Sequence, residues 1–217
     1  MIVVIGLPAY ADSPDGEQCA GGLAVDVAAA ARRRGSSVEL VGKVGNDGAG
    51  DAVVVALGRL GIGHAALLRD PIRPTPVLAA PAADEATELE SDGLEARLLP
   101  EEPDARPALE AADVELALRF LPAAGVVVIA DALSEATTVA GVEGAAFAAA
   151  RLIVLTPAGA APPAVPAEAT VLESPLDDDG SFGRLVGVFA GALDAGVEPG
   201  VAFAEAVASA GWEPAAE

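Results

Sequence analysis

The chain has 217 residues, 53% of them hydrophobic but only 3% aromatic, and a net charge of −21 with a pI of about 4.1. That length suits one domain whose core needs no disulfide or metal, and the charge sets the protein against nucleic acid and anionic membranes as partners. A single cysteine, Cys19, excludes an internal disulfide, and no apolar run approaches the roughly 18 residues of a membrane-spanning helix.

A core this poor in aromatics has to be built from Ala, Val and Leu, and Ala-rich helices with Val-rich strands point to an α/β protein. The opening MIVVIGLPAYADSPD lacks the basic start of a signal peptide and reads as a first strand, so a cytoplasmic location is expected.

Taken in order, residues 2–6, IVVIG, are a short apolar run ending in Gly and predict a buried strand. Residues 7–20 carry Pro8, Pro14 and Gly16 and are expected to form a loop. A helix follows over 23–34, with three arginines in its last turn and Gly35 after it, and then a strand over 38–43. After GNDG a helix is expected over 49–60, closed by Gly61. This β-α-β-α order predicts right-handed crossovers and a parallel sheet.

Residues 63–100 change character, with short alternating pieces split by Pro and by Asp92-Gly93, and predict a small antiparallel flap. Residues 100–107, PEEPDARP, form a connector. Helix, strand, helix and strand are then expected over 108–120, 125–130, 136–149 and 151–156. A Pro/Ala-rich loop covers 157–169, TVLE is a short strand, and two helices over 181–195 and 199–211 complete the chain.

Several familiar sites are absent from the sequence. There is no G-x-x-x-x-G-K-[ST] and no G-x-G-x-x-G. His64 is the only histidine, and with Cys19 it makes no zinc set. No nucleophile elbow precedes a helix, and His64 reads as the start of an edge strand rather than a catalytic group.

Gly21-Gly22 opens an Ala-rich helix that carries Asp26 in its first turn, and the next strand delivers Gly45-Asn46-Asp47-Gly48-Ala49-Gly50. Paired glycines let backbone approach a small ligand, and a short polar side chain one turn into a helix can bond a hydroxyl. In order and spacing these pieces resemble the N-terminal signature of the ribokinase/PfkB carbohydrate kinase family. The resemblance implies a ribokinase-like three-layer α/β fold, one domain over 1–217, with a mainly parallel central sheet and a small antiparallel β lid within 63–100. It also implies ATP and Mg²⁺ as cofactors, a sugar, small polyol or nucleoside as substrate, and a homodimer paired through the lid. Substrate contacts would fall to Asp12, Gly21, Gly22, Asp26 and Asn46.

The chain departs from the family pattern even here. Ala11 stands where an Asp is usual, with Asp12 one residue on; Asp26 stands for Asn, and Leu23 for a polar residue. For Asp26 a second reading is only that an acid favours a helix N-terminus.

The family's second signature, D-T-x-G-A-G-D before an apolar helix, supplies an anion hole from backbone amides and an Asp general base. GAGD occurs at 48–51, but that string belongs to the first signature. The counterpart of the second is 177–183, DDDGSFG, in which Gly180, Ser181, Phe182 and Gly183 take the anion-hole and base positions.

Gly183 has no group to accept a proton, and a general base contributes about 10²–10⁴-fold. Asp179 is a weak substitute, since one helical turn displaces a side chain by about 5 Å. Asp178 and Asp179 also set negative charge beside the anion site. The family's N-x-x-E is missing, Asn46 being the only asparagine, and RLIVLTPAGAAPP looks like a remnant of its Gly-rich nucleotide turn.

Several readings stay open. The chain is an impaired or inactive ribokinase-like protein that uses ATP and Mg²⁺ weakly or not at all, or a compact active kinase transferring the γ-phosphoryl of ATP to a sugar hydroxymethyl. It could equally be a non-catalytic binding or assembly subunit, or an unrelated α/β domain with accidental matches.

Overall fold

Strands rich in Val, Ile and Leu make the centre of the protein. The structure is a computed structural model and describes residues 1–12, 18–78, 105–161, 163–175 and 180–211. In chain order the elements are β1 (Ile2–Ile5), β2 (Ala9–Asp12), β3 (Gln18–Gly21), α1 (Leu23–Arg33), β4 (Val38–Gly45), α2 (Gly48–Leu60), β5 (Leu67–Asp70) and β6 (Val77–Leu78). There follow α3 (Ala111–Phe120), β7 (Val126–Ile129), α4 (Glu135–Phe147), β8 (Arg151–Thr156), β9 (Thr170–Glu173), α5 (Ser181–Asp194) and α6 (Pro199–Ala210).

Six strands form one sheet in the order β5-β4-β1-β7-β8-β9, and every pair in it is parallel. β1 and β7 are buried on both faces, as central strands of a covered parallel sheet must be. Alternate side chains serve opposite layers. Ile2, Val4, Val126 and Val128 join the core beneath α1, α2, α5 and α6, whereas Val3, Ile5, Val127 and Ile129 join the core beneath α3 and α4. The result is the expected three-layer α/β arrangement.

A second, small sheet has the order β3-β2-β6 and packs on α2. Its make-up differs from expectation in two ways. Residues 9–12 and 18–21, expected as loop, supply two of its strands, because β2 finds its partners in β3 and in the distant β6. The sheet is also mixed: β2 pairs antiparallel with β3 but parallel with β6. Leu67–Asp70, expected in the flap, extends the main sheet instead, beside β4. Residues 79–100 of the expected lid lie outside the described residues.

The helix ends follow ordinary capping chemistry. Asp47 caps α2 by accepting from the Gly50 amide at 2.8 Å, and Ser134 caps α4 through Thr137. Glu110 and Asp113 form a capping box at α3. After α4, Ala149 takes the left-handed conformation (φ 51°), a place where glycine is usual.

α1 and α5 lie against each other with almost no side chain between them. α5 presents Gly183, Gly187 and Gly191, four residues apart and hence on one face. A Cβ at Gly187 would strike the Val27 carbonyl oxygen and lie 2.6 Å from the Ala30 Cβ. One at Gly191 would meet only the flexible Arg34 side chain, at 3.3 Å. The seam explains how a chain with so few aromatics reaches native density, since small residues let backbones approach.

Two substitutions test this packing by thermal or urea unfolding. Gly187→Ala is expected to destabilise by about 1–3 kcal/mol through overpacking, with Gly191→Ala costing clearly less. Ala149→Gly is expected to stabilise by about 1 kcal/mol by removing the left-handed penalty.

Candidate functional site

In an open parallel sheet, ligands bind beyond the carboxyl ends of the strands where the strand order reverses. Here the chain leaves β1 toward β4 on one side, and β7 enters on the other, so the reversal lies between β1 and β7. At that point Gly6 and Leu7 follow β1, and Asp131 follows β7.

The Leu7 amide donates to Asp131 Oδ2 at 2.6 Å. A Cβ on Gly6 would lie 2.5 Å from that oxygen and 2.7 Å from the Ala24 Cβ. Glycine at 6 thus lets the carboxyl sit between the end of β1 and the first turn of α1. Burial pushes Asp131 up to about 7, against the opposing pull of the Leu7 amide and the Arg106 guanidinium. An acid poised near neutrality in a crevice of this kind is a functional-site candidate.

The first turn of α1 forms the adjoining wall. Gly22 is its N-cap at φ 95°, ψ 161°, a conformation open to glycine, and its Cα faces the Leu7 carbonyl. Asp26 follows in the same turn and is half-buried. Opposite it is the start of α5, capped by Gly180 in the left-handed conformation.

Gly183 is buried against α1: a Cβ there would be 2.6 Å from the Cβ of Asp26 and 3.3 Å from Leu23 Cδ1. The position expected to hold a general base is therefore the first contact of the α1–α5 seam. Phe182, expected to add bulk at a phosphate site, is 4% exposed and belongs to the core beneath the sheet. Ser181 is half-buried in the first turn of α5, beside it.

GNDGAGD at 45–51 turns out to be a brace. Asp47 accepts from the Gly50 amide, from the Thr75 amide at 2.8 Å and from the Thr75 hydroxyl at 2.7 Å. That hydroxyl in turn accepts from the Gly45 amide at 2.9 Å. Arg69 donates to the Gly45 carbonyl and to Asp51. Side chains at 45 or 50 would collide with this network, with Thr75 and Arg69 among the atoms struck. Burial pushes Asp47 up, but the three hydrogen bonds and Arg69 outweigh it and hold its carboxyl below the ordinary range. Asp70, at the end of β5, is held low by the Arg73 amide against its burial, with help from the Ile72 and Ala108 amides and the Arg73 charge.

The structure therefore brings together Gly22 and Asp26 from the sequence-derived set, with Gly183 against Asp26 and Gly180 one turn before it at the α5 N-cap, and adds Asp131. Gly21 ends β3, where its backbone pairs with Ala9. Asn46 is exposed at the head of α2, its amide donating to the Asp70 carbonyl. The backbone of Asp12 pairs with Gln18 in the small sheet; its side chain, and all of Asp179, lie outside the described residues. Asp131 escaped the sequence reading. Its only signal is an acid placed two residues after a continuous apolar strand. Among the described residues no cluster of His, Cys, Asp and Glu could hold a metal, and no helix is long and apolar enough to cross a membrane.

No protein-family model matches this chain, and no curated protein is similar to it in sequence. Solved structures are similar to it in shape. The protein called Sa239 matches over 99% of this chain and 95% of its own, with TM-score 0.70 and 13% identity. A putative ribokinase II from E. coli, in complex with ATP and Mg²⁺, gives 0.68 and 14% over 96% and 91%. Arabidopsis thaliana ribokinase, complexed with ribose and ATP, gives 0.63 and 15% over 96% and 90%. At such identities the likeness establishes the fold, which is ribokinase-like.

Asp131 should leave a pH signature. Below about pH 3.8 both folded and unfolded states hold its proton; between there and about 7 only the folded state does. Its contribution is thus full at the low end and is lost as pH rises through 7. Asp47 and Asp70 behave oppositely, losing stability only as pH falls below the ordinary carboxylate range. The melting temperature is expected to fall from pH 5 to pH 8, and Asp131→Asn to flatten that slope while keeping an acceptor for Leu7. An unchanged slope in the variant would place the titration elsewhere.

Proposed function

We propose that this chain is a ribokinase/PfkB-like protein, related to ATP-dependent sugar or nucleoside kinases, whose phosphoryl-transfer chemistry is impaired or lost. The observation that carries the reading is the contact at Gly183. Loss of the aspartate from that position removes a proton acceptor, and the Asp26 Cβ and Leu23 side chain crowd the space that a replacement would need. The acidic stretch Asp177-Asp178-Asp179 ahead of α5 adds charge unfavourable to a triphosphate.

The polyol-binding half is the better preserved. Gly22, Asp26 and Asp131 line the crevice at the strand-order reversal, with hydrogen-bonding groups suited to the hydroxyls of a sugar, small polyol or nucleoside. On this reading Asp131 accepts from a ligand hydroxyl when ionised and donates when protonated. A cytoplasmic location and pairing of two copies through the lid expected within 63–100 belong to the same reading.

The alternative is a compact active kinase using ATP and Mg²⁺. It draws its support from the ATP complexes of the two ribokinases of similar fold.

Activity separates the two. Purified protein with Mg-ATP and ribose, fructose or adenosine is expected to show no steady phosphorylation near the rate of a working kinase. Gly183→Asp is expected to lower stability without restoring turnover. Sustained turnover by the natural chain would establish the compact kinase instead, and its appearance only in the variant would show that position 183 is open to a base.

A further inference from the structure

The site uses none of the outer face of α3 and α4. These helices run alongside in the same direction. Near their starts Thr137 Oγ1 donates to the Leu109 carbonyl at 2.9 Å, and toward their ends Gly144 sits against the Leu118 side chain. Between them lies an open groove of about 450 Å³. Its floor is Ala111, Ala136, Val139 and Ala140; its rim is Glu115, Glu135 and Glu143.

Phe120 and Phe147 follow Leu118 and Gly144 closely, so they stand at the same end of the pair, Phe147 on the groove side of α4 one turn beyond Glu143 and Phe120 on the far flank of α3, roughly half a turn round the helix from Ala111. They are 78% and 82% exposed. Leu116 and Val139 are exposed along the way. The chain has five phenylalanines, and two stand in water on one helix pair. An apolar surface of this kind, rimmed by charge, marks an interaction site. None of the three glutamates has a hydrogen bond or ion pair among the described residues. Arg119, in the last turn of α3, is the cation that this stretch of the face carries.

We propose that the α3–α4 face docks a basic amphipathic helix from another protein. Its apolar stripe lies along the alanine floor and ends against Phe147, and its Lys and Arg side chains meet Glu115, Glu135 and Glu143. Helix-in-groove recognition works through anchors spaced on one helix face. The overall charge of −21 draws a basic partner in and speeds encounter. A second copy of this chain is disfavoured as occupant, because it brings the same glutamate rim and the same net charge. The proposal does not depend on whether the crevice near Asp131 turns over a substrate.

The test is titration of the full chain with a labelled amphipathic Leu/Lys peptide of about 18 residues, five helical turns. A scrambled peptide of equal composition and a Leu/Glu counterpart are the controls. The intact protein is expected to prefer the amphipathic Leu/Lys peptide, with affinity falling as salt rises. Phe147→Ser should weaken binding about tenfold or more and Phe120→Ser should leave it unchanged, neither moving the melting temperature, because both rings are already in solvent. Glu115→Gln, Glu135→Gln and Glu143→Gln together should weaken it and flatten the salt dependence.

Equal binding of the scrambled peptide, or unchanged binding by the Phe147→Ser variant, would reduce the effect to general attraction toward an acidic protein and overturn the proposal. So would loss of binding on Phe120→Ser, absence of binding, or self-association of the natural chain that Phe147→Ser abolishes.

Discussion

The contact on which the rest depends is that between the backbones of α1 and α5. Three glycines on α5, at 183, 187 and 191, face Asp26, the Val27–Ala31 turn and Arg34 on α1. This is van der Waals packing with the side chains removed, so its energy lies in the number of close atom pairs and vanishes if the helices part. The same seam fixes where α5 begins relative to the first turn of α1. It therefore decides what can stand at the mouth of the sheet between β1 and β7.

Two consequences follow for the site. On the α5 side, the contact fills the space beside Gly183, the position expected from the sequence to hold a general base. On the β7 side, the crevice retains a carboxyl, Asp131, whose burial against Gly6 keeps it near its titration point. The neighbouring acids serve the scaffold. Asp47 and Asp70 accept backbone amides and hold the 70–76 loop to β4 and α2, and Lys43 is paired with Asp113 at 2.7 Å, tying β4 to α3.

The alternation of elements was legible in the sequence because its buried strands are continuous Val/Ile runs and its helices are Ala-rich with ordinary caps. The small sheet was not. β2 and β3 are four residues each in a Pro- and Gly-containing stretch, and β6 is only two, so the pairing that makes them strands comes from residues far apart in the chain. Leu67–Asp70 reads like flap because its membership of the main sheet depends on register with Gly42–Gly45. At the site, Gly183 stood out by its departure from a family pattern, but its contact with Asp26 is a fact of helix packing that spacing does not reveal. Asp131 carries no motif, and only its position at the reversal of strand order sets it apart. GNDGAGD is the converse: it spells a phosphate motif, yet its glycines make room for Thr75 and Arg69.

The central claim is that position 183 is a packing position closed by α1. A double-mutant cycle measures this directly, with Gly183→Ala and Asp26→Gly made singly and together and followed by equilibrium unfolding. Removing the Cβ at 26 is predicted to relieve most of the cost of adding one at 183, giving a coupling of about 1 kcal/mol or more. Costs that simply add, to within about 0.5 kcal/mol, would contradict the closed seam and leave position 183 free to face a ligand.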